Sequence, residues 1–153
     1  SQVVDIYDAV NDVWSTSTLI VPQREGAATG TMAGAVFFGG GHSQIWSAAT
    51  RQWTTRNDTT EWAKMAAVTV DGGRAHSQRY ALFAGGVGCP GNECDTIEVF
   101  DAVEGTWAVE TQKLTVPRQY LMAASVGNLA VFAGGLDRQS NSTDAVDFVY
   151  VGE

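Results

Sequence analysis

The side chains spaced most plausibly for covalent chemistry are the only two cysteines, Cys89 and Cys94, in Gly88-Cys89-Pro90-Gly91-Asn92-Glu93-Cys94. A turn-rich segment of this length can bring the sulfurs into bonding range. A disulfide there would add about 2 kcal/mol by restricting the unfolded chain. The alternative is a pair of unrelated thiols; a metal site fits less well, because four ligands are wanted and no histidine adjoins them. The only histidines, His42 and His76, stand at metal-ligand spacing from no other donor. His42 follows Gly41 at the mouth of a predicted connection, where it is either a binding residue or a hydrogen-bonded loop side chain. Asp137-Arg138-Gln139-Ser140-Asn141-Ser142-Thr143-Asp144 is rich in oxygen donors. It lacks the central glycine and closing glutamate of a calcium loop, so Asp137 and Arg138 read as contact residues on a solvated loop. No Gly-x-Ser-x-Gly elbow is present, and Gly39-Gly40-Gly41 leads into a strand, leaving no helix N-terminus for an anion. The expectation is no catalytic residue, no metal and no cofactor.

Two acceptor sequons, Asn57-Asp58-Thr59 and Asn141-Ser142-Thr143, fall in predicted loops, where a sugar can be accommodated. With the paired cysteines they predict an oxidising setting, secreted or at the cell surface. Seventeen acidic against nine basic residues give a net charge of −8. Nucleic acid and anionic membrane surfaces are therefore excluded as expected partners, and no apolar run reaches the length of a membrane span. Basic ligands and basic protein surfaces remain compatible.

The elements that must position these groups announce themselves by repetition. An aromatic residue is followed seven positions later by tryptophan three times: Tyr7 and Trp14, Trp46 and Trp53, Phe100 and Trp107. Gly-Gly doublets at Gly39-Gly40, Gly85-Gly86 and Gly134-Gly135 each end an apolar run, at spacings of 46 and 49 residues. A period of that size signals one supersecondary unit copied along the chain. Glycines at a strand end supply positive φ and room for a crowded neighbour, and the aromatics supply buried area on the next two strands.

This constellation, an apolar strand ending in Gly-Gly, then a strand with an aromatic followed by aspartate, then tryptophan, resembles the Kelch repeat. The resemblance spans nearly the whole chain. It implies an all-β fold of Kelch-like β-propeller blades, each of four antiparallel strands a to d. The chain 1–153 then reads as one propeller segment: a partial blade at 1–24, full blades at 25–57 and 58–112, and a partial blade at 113–153. Strands are expected at about 3–8 and 13–17; 26–32, 34–39, 44–47 and 53–56; 65–70, 79–85, 96–101 and 106–110; and 119–126, 128–134 and 144–150. Two full blades flanked by partial ones leave an incomplete ring. Either the chain is part of a longer polypeptide, or a homodimer closes a six-bladed ring by joining the last strands of one copy to the first of the other, leaving 143–153 surplus.

The predicted interior comprises Ile6, Val36, Phe38, Ile45, Leu82, Val99, Leu129, Val131 and Phe148, with Trp14, Trp53 and Trp107 between strands or blades. In such sheets the b–c and d–a connections emerge at one end. They carry Cys89, Cys94, the loop 136–143, the segment 57–63, and Arg24 and Arg118 from Pro22-Gln23-Arg24 and Pro117-Arg118. An arginine after proline in this connection also recurs in Kelch proteins. It either pairs with a local carboxylate or carbonyl, or lines the ligand-facing surface.

The resemblance permits a non-catalytic protein-interaction or scaffold module of a secreted or cell-surface glycoprotein, binding a protein partner through the b–c and d–a loops. A second reading is the propeller portion of a carbohydrate-active enzyme. It would be similar to galactose oxidase or to sugar-acid epimerases, although the active-site His, Tyr, Cys and acidic groups they need are largely lacking. A third is a structural subunit of an extracellular assembly.

Overall fold

The computed structural model describes residues 2–22, 26–39, 42–57, 62–72, 78–89 and 94–151. Among them the fold is all-β, and every strand pairing is antiparallel. The first sheet is a hairpin of β1 (Val3–Asp8) and β2 (Val13–Thr18). The second runs in order β3 (Ala27–Thr31), β4 (Gly34–Gly39), β5 (His42–Ser47) and β6 (Gln52–Asn57). The third repeats that order with β7 (Ala66–Asp71), β8 (Gln78–Ala84), β9 (Ile97–Asp101) and β10 (Thr106–Val109). The fourth has β11 (Met122–Val126), β12 (Leu129–Ala133) and β13 (Val146–Tyr150).

The aromatic spacing has a direct structural cause. Tyr7 is the register partner of Trp14, Trp46 of Trp53, and Phe100 of Trp107. The rings sit 5.0, 5.2 and 5.1 Å apart, a separation at which tilted aromatic pairs attract. The turn that sets each register is capped from the same position. Asp8 accepts from the amides of Val10 and Asn11, Ser47 from Thr50, and Asp101 from Val103 and Glu104. Each turn also contains a residue with positive φ, at Asp12, Arg51 and Gly105.

Consecutive sheets meet along their first strands: β3 lies beside β7 and β7 beside β11. Thr69 of β7 hydrogen-bonds both the Thr29 hydroxyl and the Gly30 carbonyl of β3. The third sheet is consequently covered on both faces. Alternate residues of β8 divide between two cores: Ala81 and Phe83 join Val36, Trp62, Met65 and Phe100 on the side of the second sheet, while Leu82 and Ala84 join Leu121, Phe132 and Val149 on the side of the fourth. The hairpin β1–β2 is attached more lightly. The Gln44 side chain exchanges two hydrogen bonds with the backbone of Val21, and the Trp53 indole donates to Ser17 Oγ at 2.8 Å.

Two of the expected interior residues lie outside the core. Phe148 is 53% exposed and Trp14 69% exposed, because each occupies the outward face of a sheet at one end of the stack, where no described element covers it. Ile6, Ile45, Leu129 and Val131 are half-buried, Val36, Leu82 and Val99 are buried, and the Phe38 side chain lies outside the described set. The strands fall where expected, with the largest difference at β11, which starts at Met122 rather than near 119. Tyr120 has positive φ and Gln119 is tied by an isolated bridge to Leu136, so the strand cannot begin earlier.

Candidate functional site

The connections at one end of the stack are braced to one another. Ala63, before β7, forms a two-way backbone bridge with Val87, after β8; Gln119, before β11, forms the same bridge with Leu136, after β12. The Gly86 amide donates to the Arg118 carbonyl at 2.8 Å. A Cβ at Gly86 or Gly135 would run into the carbonyls of Ala63 or Gln119, and both glycines have positive φ. The second glycine of these two doublets is therefore the price of the brace.

Cys89 and Cys94 form a disulfide, with both residues buried in the core beside Phe83 and Met65. The disulfide thus ties Cys89 and Cys94 to each other within that core. Asp137 organises the connection after β12. Its Oδ1 accepts from the amides of Gln139 and Asn141 at 2.9 and 2.8 Å, and the Asn141 side chain donates to Oδ2 at 3.4 Å. Asp137 is thus occupied within its own loop, whereas Arg138 and Asn141 are exposed beside it.

Arg118 takes the structural of its two roles. Its side chain is fully buried. Nε donates to the Gly134 carbonyl at 2.8 Å, Nη1 to the Val116 carbonyl at 3.0 Å and to Asp147 Oδ2 at 2.7 Å, and Nη2 to the Phe132 carbonyl at 3.0 Å. Asp147 Oδ1 in turn accepts from the Thr115 amide at 3.0 Å. A guanidinium so enclosed does not line an outer surface; it locks the connection before β11 to β12 and β13. Arg24 lies outside the described residues.

His42 and Asn57 are not in loops. They are the first residue of β5 and the last of β6, paired with each other across the two strands. Of the sequons, Asn141 stands in a loop, while Asn57 ends a strand and Asp58-Thr59 lie outside the described residues.

The same end holds residues that sequence reasoning passes over. Lys64 and Tyr120 occupy equivalent places before β7 and β11, both with positive φ, 60° and 56°. The Tyr120 amide donates to the Lys64 carbonyl at 2.9 Å, and the Lys64 ammonium stands 5.2 Å from the Tyr120 ring centroid. With Gly26, Met65 and Leu121 they line a cleft of about 450 Å³. The only sequence signal is the shared offset of Lys64 and Tyr120 from the strands that follow; neither residue type announces a left-handed conformation.

Among the described residues, no group of three or more His, Cys, Asp and Glu is placed to hold a metal, and no helix is long and apolar enough to cross a membrane. Comparison with protein-family models and with curated proteins finds no match.

Proposed function

We propose that this chain is a set of Kelch-type propeller blades acting as a non-catalytic protein-interaction module outside the cell, with the braced loop end as its binding face. The meander of β3–β6, its repetition in β7–β10 and the contact of sheets along their first strands support the blade reading. The observation that carries the binding face is the cross-bracing of the connections by the Ala63–Val87 and Gln119–Leu136 bridges. It gives chemically varied loops a rigid base, the arrangement in which recognition costs least ordering entropy. The disulfide favours an oxidising compartment. Lys64 and Tyr120 at the cleft suit an acidic or aromatic side chain of the partner.

The test is capture of extracellular proteins on the immobilised chain, followed by titration of the captured protein against variants. A stoichiometric partner whose affinity falls about 10-fold or more with Lys64→Glu and with Tyr120→Ala, and is unchanged by Val10→Ser or Val103→Ser at the opposite end, supports the reading. Equal affinity across all four variants sinks it.

A further inference from the structure

Asn141-Ser142-Thr143 is a motif that the binding reading leaves unused, and three residues alone are too few to identify a modified position. The structure supplies what the motif lacks. Leu136 and Ser142 form an isolated antiparallel bridge, and between them the Asp137 amide donates to the Asn141 carbonyl at 3.0 Å. Residues 137–141 therefore form a narrow turn, with Ser140 at positive φ, and residues 138–142 are all exposed. Asn57, by contrast, is the last residue of β6 and is paired with His42.

Asn141 holds this turn through its backbone rather than its side chain. Its amide donates to Asp137 Oδ1 at 2.8 Å, whereas its Nδ2 makes one long contact among the described residues, 3.4 Å from Asp137 Oδ2. A substituent on Nδ2 removes one of its two N–H groups and leaves the other for that contact. The turn can therefore carry a large group at Asn141 without losing a hydrogen bond.

We propose that Asn141 carries an N-linked glycan. In the transfer, Nδ2 displaces the diphosphate from C1 of a lipid-linked oligosaccharide: the C1–N bond forms, the C1–O bond breaks, Nδ2 loses one proton and the lipid diphosphate leaves with the electron pair. The proposal rests on the extracellular reading, because that donor is met in the secretory pathway, a compartment in which the Cys89–Cys94 disulfide is stable. The Gln119–Leu136 bridge ties the base of the turn to the residue before Tyr120. The glycan thus stands beside the proposed binding face, and its bulk restricts the directions from which a partner can approach.

The experiment is peptide mass mapping of the full chain secreted from a eukaryotic host, before and after treatment with peptide N-glycosidase. That enzyme converts a glycosylated asparagine, and no other, into aspartate. Trypsin cuts after Arg138, and Asn141 is the only asparagine in 139–153, so the two sequons are read separately. The expected result is aspartate at position 141 after treatment, retained in Ser142→Ala and lost in Thr143→Ala, which removes the hydroxyl that the sequon requires. The parent chain answers the question by itself, so a variant that fails to fold leaves the test intact. An unconverted Asn141 in secreted protein with paired cysteines, or conversion that persists in Thr143→Ala, overturns the glycan and leaves the extracellular reading standing. Free thiols together with an unconverted Asn141 overturn both.

Discussion

The third and fourth sheets carry one residue pattern and live in two environments. On the face turned away from β3–β6, Val68, Leu82 and Val99 of the third sheet are buried, while Ala124 and Phe148 of the fourth are exposed and Val131 is half-buried. Alternation along a strand decides which residues share a face; whether that face is dry depends on the next sheet, which local sequence does not encode. The two sheets also place an acid at one equivalent position of their third strands and satisfy it differently. Glu98 of β9 meets Arg56 of the preceding sheet at 3.6 Å, partly exposed, whereas Asp147 of β13 is enclosed with Arg118 at 2.7 Å.

The contrast between those ion pairs gives the largest expected effect. Arg118→Ala leaves Asp147 buried without its cation and frees the carbonyls of Phe132, Gly134 and Val116, so it should cost about 3–5 kcal/mol. Arg56→Ala removes a partly exposed pair and a cation stacked 4.2 Å from the Trp107 ring centroid, worth about 1 kcal/mol. Urea unfolding of both variants measures the difference. Equal losses would mean that enclosure of the Arg118 pair adds nothing.

The apolar faces sharpen the same comparison at smaller magnitude. Val99→Ala opens space in a packed core and should cost about 2 kcal/mol. Phe148→Ala at the equivalent position deletes a larger side chain, yet one that is half exposed, and should change stability by no more than about 0.5 kcal/mol. A comparable loss at both positions would show that the outer face of the fourth sheet is covered within the single chain.

Much of this architecture was legible in the residues. The aromatic-to-tryptophan spacing is the register of a hairpin with a capped turn, and the second and third Gly-Gly doublets mark the brace at Ala63 and Gln119, so the strand positions expected from the repeat spacing together with the Kelch resemblance lie close to those found. Cys89 and Cys94 were readable because their separation suits a closed loop. The exposed outward positions of Trp14 and Phe148 were not, for the reason just given. Arg118 was ambiguous because arginine is ordinarily a surface residue, and its partner Asp147 lies 29 positions away, beyond any local pattern. Lys64 and Tyr120 escaped because their common feature is a backbone conformation imposed by the brace.

Acid stability separates the two sheets last, since Asp101 ends β9 at the position Tyr150 occupies in β13. Its carboxyl is held below the usual carboxylate range, first by the Arg79 guanidinium, at 2.6 Å from Nη2 and 2.9 Å from Nε, and then by the amides of Val103 and Glu104. The Arg79 pKa is raised by the same contact. A carboxyl with a lower pKa folded than unfolded adds stability that is complete above the unfolded value, about 4, and disappears as pH falls through the folded value. Asp101→Asn should therefore lower stability modestly at pH 6 while leaving it nearly equal to the parent protein once the pH has fallen below the carboxyl's folded value, so that the two urea midpoints converge with acid. Asp8 is lowered too, by the Asn11 side chain and the amides of Asn11 and Val10, with a smaller contribution from Arg51, and Asp8→Asn should show the same convergence at smaller amplitude. Parallel midpoint curves for Asp101→Asn and the parent would show that the Arg79 contact does not persist in solution.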